Sequence, residues 1–148
     1  MYPNHYYYYN PYYRGENQSA LAKDMMKAIN DEYSAIAFYR KLADMAHTDE
    51  ARRQILEIRK NHVRHFDEFN RIYKNLTGRK PTPEVKEECP NTYRDGILAG
   101  FKNEQKTVNF YLDIADRTQD ASIKEIFRRA AADEQNHAVW FLFFLQQH

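Results

Sequence analysis

The chain has a single cysteine, Cys89, so it can form no internal disulfide, and a four-cysteine metal knot is excluded. With 4 glycines and 5 prolines in 148 residues it lacks the punctuation of a turn-rich β protein, and no strand-like alternation is visible. Charge of one sign is missing as well. The 22 basic and 21 acidic residues nearly cancel, and no basic stripe provides the electrostatic footprint of a nucleic-acid binder. The longest apolar run, Ala138 to Leu145, is far below the roughly 20 residues of a membrane-spanning helix. The N-terminal stretch has no apolar signal core. These absences lead to an expectation of an all-α protein in a reducing, cytoplasmic setting, with neither a nucleic acid nor a membrane as partner.

What is present is tyrosine at one end and helical periodicity everywhere else. Residues 1–16 are of low complexity, with Tyr6 to Tyr9 and then Tyr12 and Tyr13, and Pro3 and Pro11 argue against a helix there. This segment reads as a flexible arm or as a sticky, cross-linkable one. Residues 17–148 read as a bundle. The first helix is expected from near Ser19 to about Ala46, and the second from after Thr48 and Asp49 to Leu76, closed by Gly78. Pro81, Pro83 and Pro90 mark a loop; two more helices follow, from about Thr92 to Arg117 and from after Asp120 nearly to the end. Two of the connections are short, which makes antiparallel hairpins. The dozen residues of the middle connection could span roughly 40 Å at about 3.3 Å each. A helix of about 28 residues has the same length. Two hairpins joined by one long crossover are the connection of a ferritin-like four-helix bundle.

The halves repeat at an offset of 72: Glu32 with Glu104, Phe38-Tyr39 with Phe110-Tyr111, Ala43-Asp44 with Ala115-Asp116, His65 with His137, Phe69 with Phe141. In each helix an apolar stripe stepping by three and four residues is broken near its middle by glutamate or histidine. Glu32, His62, His65, Glu104, Glu134 and His137 therefore point into one seam. Three buried carboxylates with no lysine or arginine on that seam cannot neutralise one another; dications would do so. Oxygen and imidazole donors suit iron, manganese or zinc. Glu134-Gln135-Asn136-His137 places a carboxylate and an imidazole one helical turn apart, the Glu-x-x-His element of dimetal bundles.

On these residues, over roughly 18–147, the chain resembles the rubrerythrin-like branch of the ferritin-like superfamily. The resemblance implies Glu32, His65, Glu104, Glu134 and His137 as ligands of two iron ions, with Asn61 orienting His137, Asp133 orienting His65, and Tyr39 and Tyr111 as hydrogen-bond donors to the ligands. It implies no catalytic group beyond the ligands. Three features depart from the family pattern. His62 stands where a bridging glutamate is expected, and reads either as a ligand or as a neutral core histidine. Thr107 stands where an additional glutamate often does. The four cysteines of a rubredoxin domain are absent, so electrons must come from an external donor. The resemblance further implies an oxidoreductase acting on peroxide or dioxygen. An iron-handling ferroxidase and a spore-coat-type structural protein, spore-associated and with an incidental metal, are the alternatives. The apolar run near the C-terminus suggests a homodimer interface, or a bundle end capped by the tyrosine arm.

Overall fold

The computed structural model describes residues 11–147, with side chains from residue 18 onward. Four helices account for nearly all of it: α1 (Pro11–Asp44), α2 (Asp49–Thr77), α3 (Tyr93–Arg117) and α4 (Ala121–Gln146). α1 packs chiefly on α2, and α3 on α4, so the molecule is two helical hairpins laid together. No helix among the described residues is long and apolar enough to cross a membrane.

The helix ends follow from local chemistry. The side chains of Thr48, Thr92 and Asp120 accept hydrogen bonds from backbone N–H groups of the first turns of α2, α3 and α4. Gly78 ends α2 at φ 70, the left-handed conformation that glycine adopts without steric cost, and its N–H reaches Lys74 O at 2.8 Å. The described part of α1 differs from the expectation: it is helical from Pro11 on, ahead of Ser19, and the residues before Pro11 lie outside those described. The tetratyrosine, and with it the reading of that stretch as a flexible or sticky arm, lies outside the described residues.

The crossover between α2 and α3 is tied down by side chains. Ser34 Oγ accepts from Lys86 N at 2.7 Å, and Asn30 Oδ1 from Glu84 N at 2.9 Å. Lys41 Nζ donates to Cys89 O at 2.9 Å, and Asn103 Nδ2 to Glu87 Oε2 at 2.7 Å. The loop thus runs along the side where α1 and α3 meet.

The core is two apolar clusters. Met25, Ile29, Phe69, Tyr111, Ile114 and Phe127 anchor one. Phe38, Leu42, Ile55, Ile58, Ile97 and Phe141 anchor the other. A fully buried side chain of this kind contributes roughly 1.5–3 kcal/mol. Two such clusters can hold the bundle closed around a polar layer that gains nothing from hydrophobicity, and that layer lies between them. The C-terminal apolar run is not covered on every side: Val139, Leu142 and Phe143 are exposed on the outer face of α4.

Candidate metal centre

Each helix delivers ligand-type side chains to the same level of the bundle: Glu32 from α1, His62 and His65 from α2, Glu104 from α3, Glu134 and His137 from α4. All six are at most 3% exposed. Their donor atoms form two overlapping groups, Glu32–His62–His65–Glu134 and His62–Glu104–Glu134–His137, in each of which the chosen atoms lie within 4.8 Å of one another. His62 and Glu134 belong to both groups, and they are the pair related by the 72-residue repeat.

His62 occupies the middle. Its Nδ1 lies 2.6 Å from Glu32 Oε2, and its Nε2 lies 2.9 Å from Glu104 Oε1. Burial disfavours an imidazolium here, but the Glu32 and Glu104 carboxylates outweigh it and hold the ring up to about 10. The converse holds at the other end of these contacts. Burial pushes Glu32 and Glu104 upward, yet His62 and the neighbouring histidines win, drawing Glu104 down to about 2 and Glu32 well below the carboxylate range. The sequence placed His62 in the seam and left open whether it is a ligand. The structure adds that it also links carboxylates of α1 and α3 by hydrogen bonds.

Glu134 has the complementary geometry. Its Oε1 is 3.2 Å from His65 Nδ1, and its Oε2 is 3.7 Å from His137 Nδ1, so one oxygen serves each group. Neither approach is a hydrogen bond. His65 Nδ1, Glu104 Oε2, Glu134 Oε1 and both ring nitrogens of His137 are fully buried with no hydrogen-bond partner. Each such group costs about 1–3 kcal/mol when left unmatched, and more when charged. Orphaned lone pairs that converge from three helices fit a cation.

Three of the four residues expected to support the ligands touch them. Tyr39 donates to Glu104 Oε1 at 2.6 Å, and Tyr111 donates to Glu32 Oε1. The two bonds cross between hairpins: the tyrosine of α1 holds the glutamate of α3, and the reverse. Burial beside these carboxylates pushes both phenols well above their usual value, so they remain donors. Asp133 Oδ2 lies 2.8 Å from His65 Nε2. Asn61 does not reach His137, contrary to expectation. It is half-buried, and its Nδ2 is drawn instead to the Glu57 carbonyl of its own helix at 3.3 Å. Tyr39→Phe and Tyr111→Phe should each lower stability by about 1.5–3 kcal/mol, as expected for a hydrogen bond to a charged group; urea unfolding of the two variants measures this.

The centre is reached from one side. A cavity of about 260 Å³ descends between α1 and α3 past Ala35, Phe38, Thr107 and Phe110 to Glu32, His62, Glu104 and Glu134. Lys27, Asp31, Lys86 and Glu87 rim it. Thr107 Oγ1 is turned back onto Asn103 O of its own helix, leaving this wall small and neutral. On the α2–α4 side, Arg64 Nη2 meets Asp133 Oδ2 at 2.5 Å and Arg129 adds a longer contact. Sequence reasoning named Asp133 but missed Arg64, Arg129 and the rim residues. Asp31 adjoins Glu32, a usable signal, but Lys86 and Glu87 reach the mouth only through the path of the crossover.

Comparison with known proteins gives a consistent result. A family model described as Rubrerythrin matches residues 95–148. YhjR, an uncharacterized protein of Bacillus subtilis strain 168, is 50% identical over 146 residues, covering 97% of this chain and 99% of that protein. A hypothetical protein from Pyrococcus furiosus superposes with a TM-score of 0.76 at 19% identity, over 85% of this chain and 88% of that one. Dps from Thermosynechococcus elongatus superposes with a TM-score of 0.77 at 12% identity, over 90% and 94%. The two structural likenesses concern the fold alone.

Proposed function

We propose, on the premise that the chain belongs to the rubrerythrin-like branch of the ferritin-like superfamily, that its central cluster is a dimetal site for iron and that the loaded protein is an oxidoreductase. Its oxidant would be peroxide or dioxygen, and its electrons would come from an external donor. The observation that carries this reading is the convergence of unpartnered buried donors on His65, Glu104, Glu134 and His137. Glu32, His65, Glu104, Glu134 and His137, with His62, would hold the metals. Bound iron supplies redox capacity and Lewis acidity.

The chain's own residues do the rest. Tyr39 and Tyr111 fix the Glu104 and Glu32 carboxylates, which limits reorganisation around the centre. The two apolar clusters exclude bulk water above and below. The α1–α3 cavity would give a small oxidant a path to Glu32, His62, Glu104 and Glu134. The exposed Val139, Leu142 and Phe143 on α4 support a homodimer. A chain with one thiol fits the cytoplasm.

A second reading has its own observation. His62 already joins Glu32 to Glu104, so the bundle is held together at this level without a metal. That suits a structural, spore-associated protein whose metal is incidental. Anaerobic loading of the apoprotein with ferrous iron separates the two. Two irons per chain, with rapid oxidation by peroxide and re-reduction by an added donor, are expected of the oxidoreductase. Iron that is oxidised once and then retained or deposited, with no re-reduction by the donor, would favour iron handling. A folded chain that binds no iron would leave the structural reading.

A further inference from the structure

The 72-residue repeat pairs Asp133 with Asn61, and His65 with His137, but the two halves of the centre are not equivalent. On the Glu32 side, Asp133 Oδ2 sits 2.8 Å from His65 Nε2 and is itself held by Arg64. A carboxylate can only accept, so the ring proton is fixed on Nε2. In the neutral ring that a metal would bind, the lone pair of Nδ1 is then aimed into the centre, 3.4 Å from Glu32 Oε1 and 3.2 Å from Glu134 Oε1. A carboxylate behind a ligating histidine sets both its tautomer and its orientation.

On the Glu104 side no such partner exists among the described residues. Asn61 bonds to the Glu57 carbonyl, and neither nitrogen of His137 has a hydrogen bond. Nothing fixes which nitrogen of that ring carries the proton. His62 cannot serve both sides equally: a neutral imidazole has one lone pair and one N–H. If Nδ1 faces the Glu32 side as a ligand, Nε2–H still donates to Glu104 Oε1, 2.9 Å away, and that hydrogen bond is kept. The reverse choice would use Nε2 on the less ordered side and leave the ordered one without its fourth donor.

We infer that the centre fills in a fixed order: the first divalent cation binds on the Glu32–His65–Glu134 side with His62 Nδ1 as fourth donor, and the second binds more weakly on the Glu104–His137 side. This rests on reading the cluster as a metal centre. It makes Asp133 a positioning residue for the first metal, acting through His65. It also makes Asn61 the position that weakens the second.

The test is anaerobic titration of the full-length apoprotein with cobalt(II), followed by visible absorption and calorimetry. Two resolved steps are expected, the second weaker than the first by about 10-fold or more. Asp133→Asn should weaken the first step about 10–100-fold and leave the second unchanged, a selectivity that general loosening of the fold would not produce. Asn61→Asp should strengthen the second step alone. Both positions lie off the buried layer, so these variants carry the test even if His65→Gln or His137→Gln fails to fold. Two equal steps in the wild-type protein would overturn the order. So would an Asp133→Asn effect confined to the second step. A folded wild-type chain that binds no cobalt, zinc or iron would overturn the metal-centre reading itself, and the order with it.

Discussion

His62→Glu should lower the stability of the metal-free protein by about 3–5 kcal/mol, the usual cost of leaving a buried charge without its partner. In the wild-type chain the His62 ring lies 2.6 Å from one carboxylate and 2.9 Å from another, and carries positive charge between them. Replacing it with glutamate removes that charge and adds a fourth buried carboxylate beside Glu32, Glu104 and Glu134. Neither Tyr39 nor Tyr111 can compensate, because each donates only one hydrogen bond and is already engaged. Against a total stability of about 5–15 kcal/mol, the variant should be marginal or unfolded in chelator. Metal should reverse the effect. Four carboxylates balance two dications, and a ligand present at about 100 times its Kd adds about 2.7 kcal/mol to the folded state. Urea unfolding with chelator and with manganese(II), which avoids oxidation chemistry, measures both effects. Equal stability of variant and wild type in chelator would mean that His62 is not the internal counter-charge the geometry makes it.

That prediction shows where sequence reasoning reaches and where it stops. Glu32, Glu104, Glu134, His65 and His137 could be placed at one level because helical spacing and the 72-residue repeat both act on backbone position, and the backbone of a bundle is regular. The crossing of Tyr39 to Glu104 and Tyr111 to Glu32 follows from the same symmetry. What spacing cannot supply is the direction of an atom. It put His62 on the seam but could not say that its two nitrogens face opposite carboxylates. It treated Asn61 and Asp133 alike, whereas the carboxylate meets its histidine and the amide turns to its own helix. Pro11 is a separate case: it argued against a helix at that position, whereas the described part of α1 includes it. The cavity mouth was out of reach because the crossover, which supplies Lys86 and Glu87, has no periodicity to read.

The same buried charges give the metal-free protein a pH window, with the centre contributing most between about pH 4.5 and 6.5. Glu104, drawn down to about 2, and Glu32, drawn lower still, stabilise the fold above the ordinary glutamate value near 4.3. That contribution disappears as the pH falls toward 2 and protons reach the folded carboxylates. His62, raised to about 10, behaves in the opposite sense. Its contribution is complete below the ordinary histidine value near 6.5 and is lost as the pH rises through 10. His65 is raised too, with burial opposing and Glu32 and Asp133 prevailing, so it steepens the alkaline limb. The acid and alkaline losses are one set of ion pairs broken from either end, on the order of a few kcal/mol, and should be counted once. Tyr39 and Tyr111, raised by burial beside the carboxylates, withdraw their own contribution only above about pH 10, where unfolded tyrosine ionises. The slope between about pH 6.5 and 9 therefore belongs to the histidines. Urea midpoints of the chelated protein across that range should fall with rising pH, and His62→Gln should flatten the fall. A wild-type midpoint that stays level from pH 6.5 to 9 would show that the ring between Glu32 and Glu104 is already neutral. A neutral ring would leave three buried carboxylates with no internal counter-charge, and the bundle would then need a metal to be stable at neutral pH.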